Sequence, residues 1–425
     1  MFQHGCSSII WFREEYSRIF LIGMLRMSHS EFFWSFLLTN TLQTLEVLRI
    51  MNLLSLLRRE RCSIMILKNG KLILEDGIQE GSLCVENGRI AWLSGAPQEE
   101  GIDLGGLYLA PGFVDNHCHG SAQVWHFDKP SEAAAWHLHE GTTSLLCSMW
   151  RNADPFEDAI LKVKDAMGPG SNIRGVHMEA PYVDADYGSD GGETWEINRE
   201  EYLRWMEAGK GIIRQWTFDP LLPGAELFAQ TAQKENIRLS VCYSKASPDQ
   251  LKEYLKYGLR IGGHILCGSG EPETMFGGTR EPGSDQFVLA EDRMYAEVIA
   301  DSLGGHVRPW YLKLIYKCKG ADKIALVSDC CADGDTMGSD VNVIDGVLYG
   351  SQLTLSVAIR NMRKHTGAPI CDLIKMVTST PAKAVGLYNE RGSIEPGKVA
   401  DLVVLDEDLN VKGVILEGNF IRKDF

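Results

Sequence analysis

The chain has 425 residues, of which 44% are hydrophobic and 23% charged, and its formal net charge is −15. This composition is ordinary for a globular protein with a full core, and the negative balance argues against a nucleic-acid partner, which would need a positive face. Eleven cysteines are scattered without a CxxC pair; neither a zinc ribbon nor a thioredoxin-type centre is expected, and reduced, mostly buried thiols in a cytoplasmic protein are.

Residues 1–63 contain no Lys and no Asp but hold five Glu. Their longest apolar-leaning run, 32–38, is too short to span a bilayer, and Glu14 and Glu15 interrupt any signal-peptide pattern. No membrane partner is expected. The stretch reads either as an atypical extension with short amphipathic helices or, if the natural start is Met65, as no part of the native protein. From residue 64 the texture becomes short β-segments. Asn69-Gly70 and Asn87-Gly88 predict hairpin turns. The end of the chain has the same texture, with turns at Pro396-Gly397 and Gly418-Asn419. Residues 64–110 and 381–425 are therefore expected to form one small discontinuous β-sandwich domain.

Between them, 111–380 alternates apolar runs with amphipathic stretches. The predicted strands are GFVDNHCH, TTSLLCSM, IRGVHME, IIRQWTFD, RLSVCYS, LRIGGHI and KIALVSD. The predicted helices are ADPFEDAILKVKDAM, EEYLRWMEAG, ELFAQTAQKEN, SPDQLKEYLKYG and EDRMYAEVIADSLG. Apolar strands separated by helices imply a parallel sheet buried on both faces. Seven or eight such units fit an α/β, TIM-like (β/α)8 barrel better than an open sheet.

Catalytic groups of a barrel gather at the C-terminal ends of its strands. His117 and His119, Glu179, His264 and Asp329 each fall at the end of an apolar run. His117 and His119 are two apart, so in an extended strand both imidazoles point the same way and can share one ion. Alone, each residue has a plainer role: packed histidines, a helix-capping Glu179, an N-cap Asp329. Together they suit a borderline divalent ion, Zn²⁺ or Fe²⁺, beside a carboxylate that moves a proton.

The segments PGFVDNHCHG (111–120), GVHMEAP (175–181), GGH (262–264), ALVSD (325–329) and TSTPAKAVGLYNERGSIEPGKVADLVVLD (378–406) resemble the amidohydrolase superfamily. Within it they are most similar to N-acetylglucosamine-6-phosphate deacetylases. TREPG (279–283) and GGHVRP (304–309) strengthen that resemblance, which runs from about residue 65 to the end. It implies deacetylation of N-acetylglucosamine-6-phosphate, one or two divalent ions and a homodimer. It also implies Glu179, His264, His117 and His119 as metal ligands and Asp329 as general base and acid. His306 would contact the substrate and Arg280 its phosphate, often across subunits; the plainer roles are a turn-capping histidine and a surface charge.

The chain departs from the family at several points. A metal-binding histidine is replaced by Tyr243, in Cys242-Tyr243-Ser244, and a phenol with a pKa near 10 is a poor ligand at neutral pH. A site built mainly on His117, His119, Glu179 and Asp329 is the natural alternative, with Cys242 or Cys267 near it. After His264 the family's Asn-Ala segment is missing, Ala180 replaces a glycine, and Asp190 puts an acid where a phosphate would be repelled. A different N-acyl or cyclic amide substrate, or a catalytically silent relative, thus stays open.

Overall fold

The computed structural model describes residues 64–425 except 97, 189–191, 273, 275 and 337. The expectations about residues 1–63 and Asp190 lie outside the described residues. Both chain ends contribute to one sheet. Its first half comprises β1 (Ile64–Leu74), β2 (Gly77–Glu86), β3 (Arg89–Ser94), the short β4 (Ile102–Asp103) and β5 (Tyr108–Pro111). The barrel strands follow in sequence: β6 (Phe113–Cys118), β7 (Thr142–Met149), β8 (Ile173–Met178), β9 (Ile213–Thr217), β10 (Arg238–Val241), β11 (Leu259–Gly262), β12 (Tyr295–Val298) and β13 (Ile324–Leu326). A hairpin of β14 (Val341–Ile344) and β15 (Val347–Ser351) comes next, and β16 (Leu402–Leu405), β17 (Val411–Leu416) and β18 (Asn419–Lys423) return to the first sheet.

The first sheet runs β18-β17-β16-β5-β1-β2-β3, with β4 beside β1. The two halves meet where β16 pairs antiparallel with β5, Leu402 opposite Pro111 and Val404 opposite Leu109. Ile90 donates its N–H to Lys398 O at 2.9 Å, which folds the far edge back toward the segment before β16. Leu67, Leu83, Ile90, Leu109, Leu402 and Val404 form a core between these strands, separate from that of the barrel.

One expected turn is elsewhere. Asn69-Gly70 does not close a hairpin: β1 runs through it with a register shift between Leu67 and Gly70, and the chain turns at 75–76. Asn69 has φ 54°, the left-handed conformation that a bulge and a hairpin both need. A Cβ on Gly70 would lie 2.7 Å from Leu104 Cδ1. The Asn-Gly signal marks that conformation, and the parallel neighbours of β1 decide its use. Asn87-Gly88 does connect two paired strands, with Glu86 opposite Arg89.

The barrel sheet is parallel throughout, in the order β13-β12-β11-β10-β9-β8-β7-β6. Every residue of β6, β7 and β8 is buried, as strands covered on both faces require. The ring closes at the C-terminal end: Asp329 donates its N–H to His117 O at 2.9 Å, and His119 N–H reaches Cys330 O at 2.8 Å.

The segment EDRMYAEVIADSLG is a correction. It is not a helix: Tyr295–Val298 is β12, between β11 and β13. Its Glu, Met and Ala are good helix formers, but the barrel needs a strand here and tertiary pairing overrides propensity. The neighbouring helix lies earlier, at Ser284–Ala290.

Trp216 of β9, Tyr182 and Phe228 are fully buried, with the Phe228 ring 5.1 Å from Trp216 and 5.5 Å from Tyr182 in edge-on contacts. Phe228→Ala is expected to cost about 3–5 kcal/mol through lost contact and the cavity left behind. It should appear as a lower denaturant midpoint at unchanged slope; an unchanged midpoint would mean that the helix Ala225–Lys234 contributes little to barrel stability.

Candidate active site

Each site residue sits just where a barrel strand ends. His117 lies within β6 and His119 follows it; Glu179 follows β8, Tyr243 lies beyond β10, His264 beyond β11 and Asp329 beyond β13. Tyr243 and Asp329 have φ 49° and 50°, a conformation that costs a non-glycine residue about 1–3 kcal/mol and needs its surroundings to hold it. At Asp329 the backbone is held from both sides, because Ser351 N–H also donates to Asp329 O at 2.9 Å. The β14–β15 hairpin presses closely here: a Cβ on Gly350 would come within 2.8 Å of Asp329 O.

Glu179 is the hub. Its Oε1 lies 3.0 Å from the Tyr243 hydroxyl, 3.1 Å from His264 Nε2 and 3.3 Å from His117 Nε2. Its Oε2 lies 3.0 Å from His119 Nε2. Asp329 Oδ1 is 3.3 Å from His119 Nε2 and 3.6 Å from His117 Nε2. All five predicted central residues are thus brought together, and Tyr243 joins them.

The histidine tautomers follow from the outer contacts. His264 Nδ1 lies 2.9 Å from the carbonyl of Cys267, which only accepts, so Nδ1 carries a proton. His117 Nδ1 lies 3.1 Å from Glu297 Oε2. With Nδ1 so engaged, a neutral ring turns its Nε2 lone pair toward Glu179, the arrangement of metal-ligating histidines. His117 Nε2 is buried without hydrogen-bond geometry to any partner.

The charges point the same way. Burial would lower the pKa values of His117 and His119, but the charge of Glu179 and the other nearby carboxylates outweighs it and holds both above the ordinary value. Burial would raise Glu179, yet His117 and His119 hold it well below its usual range. Without an ion, the carboxylates are balanced by protons on imidazoles; a divalent cation would take the place of those protons. His117, His119 and Glu179 each offer one atom within 4.8 Å of the others. This set of nitrogen and oxygen donors suits a borderline divalent ion.

Sequence reasoning missed the layer beneath. Glu297 is fully buried on β12, and its Oε1 accepts from Gln215 Nε2 at 2.8 Å. Gln215 also lies 3.3 Å from His177 Nε2, which is 2.9 Å from Thr217 Oγ1. Glu297 was hidden by the helical reading of its segment. His177 stands two residues before Glu179, a spacing that would have placed it toward the barrel interior.

The pocket above the cluster exposes His119, Glu179, Tyr243 and Asp329, and its walls add Trp125, Trp150, Tyr349 and Cys331. Those aromatics, Tyr349 on β15 and the two tryptophans on loops, carry no signal in a single sequence. Cys242 Sγ lies 3.5 Å from His264 Nδ1. His306 and Arg280 are not on these walls. His306 is buried, with Nδ1 3.2 Å from Asp301 Oδ2; Arg280 is exposed.

The amidohydrolase family model matches residues 316–421, a span that contains Asp329. The N-acetylglucosamine-6-phosphate deacetylase of Lysinibacillus sphaericus is 29% identical over 83% of this chain and 97% of its own length. The N-acetylgalactosamine-6-phosphate deacetylase of Escherichia coli O157:H7 is 27% identical over 83% and 98%. The crystal structure of N-acetylglucosamine-6-phosphate deacetylase from Thermotoga maritima superposes with a TM-score of 0.73 at 28% identity, covering 84% of this chain and all of that one. These likenesses make the chain similar to the amidohydrolase superfamily over most of its length. It is an enzyme acting on non-peptide C–N bonds, and it resembles the deacetylases over the described barrel and sheet together. Among its described residues no helix is long and apolar enough to cross a membrane.

Proposed function

We propose that the chain uses a divalent metal to hydrolyse the N-acetyl amide of an amino-sugar phosphate, giving acetate and the amine. N-acetylglucosamine-6-phosphate is the first candidate substrate. The observation that carries this reading is the convergence of His117, His119 and Glu179, with Asp329 beside them, on the strand ends of one barrel. The names of the relatives support the substrate class, and their two different hexosamines leave the sugar itself to experiment.

In this reading His117, His119 and Glu179 hold zinc or iron, and His264 packs against the same carboxylate. The ion supplies Lewis-acid polarisation of the amide carbonyl and eases ionisation of the attacking water. Asp329, on the pocket wall, takes the proton from that water and hands it to the leaving nitrogen. Glu297 fixes the ring of His117 from behind. The exposed Arg280 serves the phosphate of substrate in a neighbouring subunit of a homodimer, its planar fork suiting two hydrogen bonds, while His306, paired with Asp301 away from the pocket wall, steadies the loop before the helix Pro309–Lys319. A cytoplasmic location is supported by the cysteines, because Cys118, Cys147, Cys242, Cys267, Cys318, Cys330, Cys331 and Cys371 carry free thiols.

Tyr243 sets the number of ions. Its hydroxyl lies 3.0 Å from Glu179 Oε1 and 2.9 Å from His264 Nε2, so a phenol proton occupies the place a second ion would need. Burial, then the charge of Glu179, push its pKa well up, which keeps it a hydrogen-bond donor. Tyr243→His should therefore raise the metal content by one equivalent over the parent chain, read by elemental analysis. Equal metal content in both would place Tyr243 outside the control of stoichiometry.

Acetate release from metal-loaded protein tests the reaction. Turnover of N-acetylglucosamine-6-phosphate or its galactosamine counterpart supports the proposal; loaded protein that releases no acetate from either overturns the substrate. One observation favours a second reading, an unphosphorylated N-acyl amine: among the described residues the pocket walls carry no Lys or Arg, whereas Trp125, Trp150 and Tyr349 give them an aromatic character. Faster release from N-acetylglucosamine than from its phosphate would select it.

A further inference from the structure

Cys118 stands between His117 and His119 and points the other way, because side chains alternate along a strand. Its thiol enters the space between β6 and the helix Pro130–His139. There Sγ lies 3.1 Å from His137 Nε2 and 3.4 Å from His126 Nε2. The carbonyl of Gly120 faces the same spot, 3.3 Å from Sγ and 2.7 Å from His137 Nε2. The three side chains are at most 1% exposed, and none of them lines the catalytic pocket.

We propose that Cys118, His126 and His137 form a second metal site, structural in role, that takes a borderline-to-soft ion such as Zn²⁺. Four Lewis-basic atoms from a strand, a loop, a helix and the backbone converge there, and the three side-chain atoms all lie within 4.8 Å of one another. In a tetrahedral zinc site, with ligands at about 2.0–2.3 Å, neighbouring nitrogen and sulfur atoms stand roughly 3.3–3.6 Å apart. Opening the thiol–imidazole contacts by a few tenths of an ångström, and the shorter Gly120 carbonyl contact of 2.7 Å by somewhat more, would reach that geometry. A thiolate with two imidazoles selects zinc over magnesium or calcium, which prefer oxygen. With the Gly120 carbonyl as fourth donor and no access for solvent, the site has no position for a substrate, so its role is to hold structure.

It would hold the loop that serves the catalytic pocket. His126 donates its N–H to His119 O at 2.8 Å, and Trp125, its neighbour, is a pocket wall. An ion binding Cys118, His126 and His137 would tie β6, this loop and the helix into one unit, fixing the backbone of His119 from outside the barrel. The inference does not depend on the substrate proposed above.

The test is cobalt substitution and metal counting on the full chain. The parent should show thiolate-to-cobalt charge-transfer absorption and one equivalent of metal more than Cys118→Ser, in which that absorption is lost. Glu179→Gln, which alters only the first site, should retain the absorption; this separates Cys118 from Cys242 and Cys331 near the catalytic cluster. Absorption that persists in Cys118→Ser, or disappears in Glu179→Gln, overturns the assignment, as does equal metal content in Cys118→Ser and the parent. X-ray absorption of zinc-loaded parent needs no variant: sulfur in the zinc shell supports the site, and a shell of nitrogen and oxygen alone rejects it.

Discussion

Asp329→Asn is expected to lower kcat by about 10²–10⁴-fold, the range associated with a positioned proton-transfer group, while the catalytic metal stays bound. The amide keeps the size of the side chain and one acceptor oxygen, but it cannot take up a proton at neutral pH. Asp329 Oδ1 stands 3.3 Å from His119 and 3.6 Å from His117, further out than the Glu179 oxygens that face the same Nε2 atoms. It also lines the pocket. Burial would raise its pKa, but the hydrogen bond from His119 and the charge of His117 outweigh that and hold it below the ordinary carboxylate range. A depressed pKa means that the base form persists as pH falls, and activity is lost only once the carboxylate is protonated. Turnover assays with parallel metal analysis check the substitution; unchanged kcat in the Asn variant would put the base at another residue.

The strand ends were legible because they combine two local signals, an apolar run and the polar residue that stops it. His117, His119, Glu179, His264 and Asp329 all carry both, and the barrel brings them together. The residues that escaped depend on contacts made far along the chain. Glu297 lies in MYAEV, whose composition favours a helix, and only pairing with β11 and β13 makes it a strand. Asn69-Gly70 marks a left-handed backbone correctly but does not say whether the chain reverses there. Tyr243 was visible as a departure; that its hydroxyl meets both Glu179 and His264 was not, because those partners are 64 and 21 residues away. Trp125 approaches the site on a loop, where no periodicity reveals direction, and Tyr349 does so from β15 of a hairpin outside the barrel.

Glu179→Gln is the complementary case and should lose the catalytic ion together with activity. The ion's Lewis-acid contribution amounts to several kcal/mol of transition-state stabilisation, so kcat/KM is expected to fall by about 10²–10⁴-fold or more. Two oxygens of one carboxylate contact His117, His119, His264 and Tyr243. An amide keeps the shape but removes the negative charge and turns one acceptor into a donor aimed at these groups. Proton release separates a ligand from a base. In the metal-free parent, Glu179 and the nearby carboxylates hold His117 and His119 protonated above their ordinary pKa despite burial. Metal binding must displace those protons, so adding zinc to chelated parent in weak buffer should acidify the solution. Asp329→Asn should still bind the ion and release protons. Glu179→Gln should do neither at the catalytic site, and a variant that binds the catalytic ion as tightly as the parent would remove Glu179 from the centre of this site.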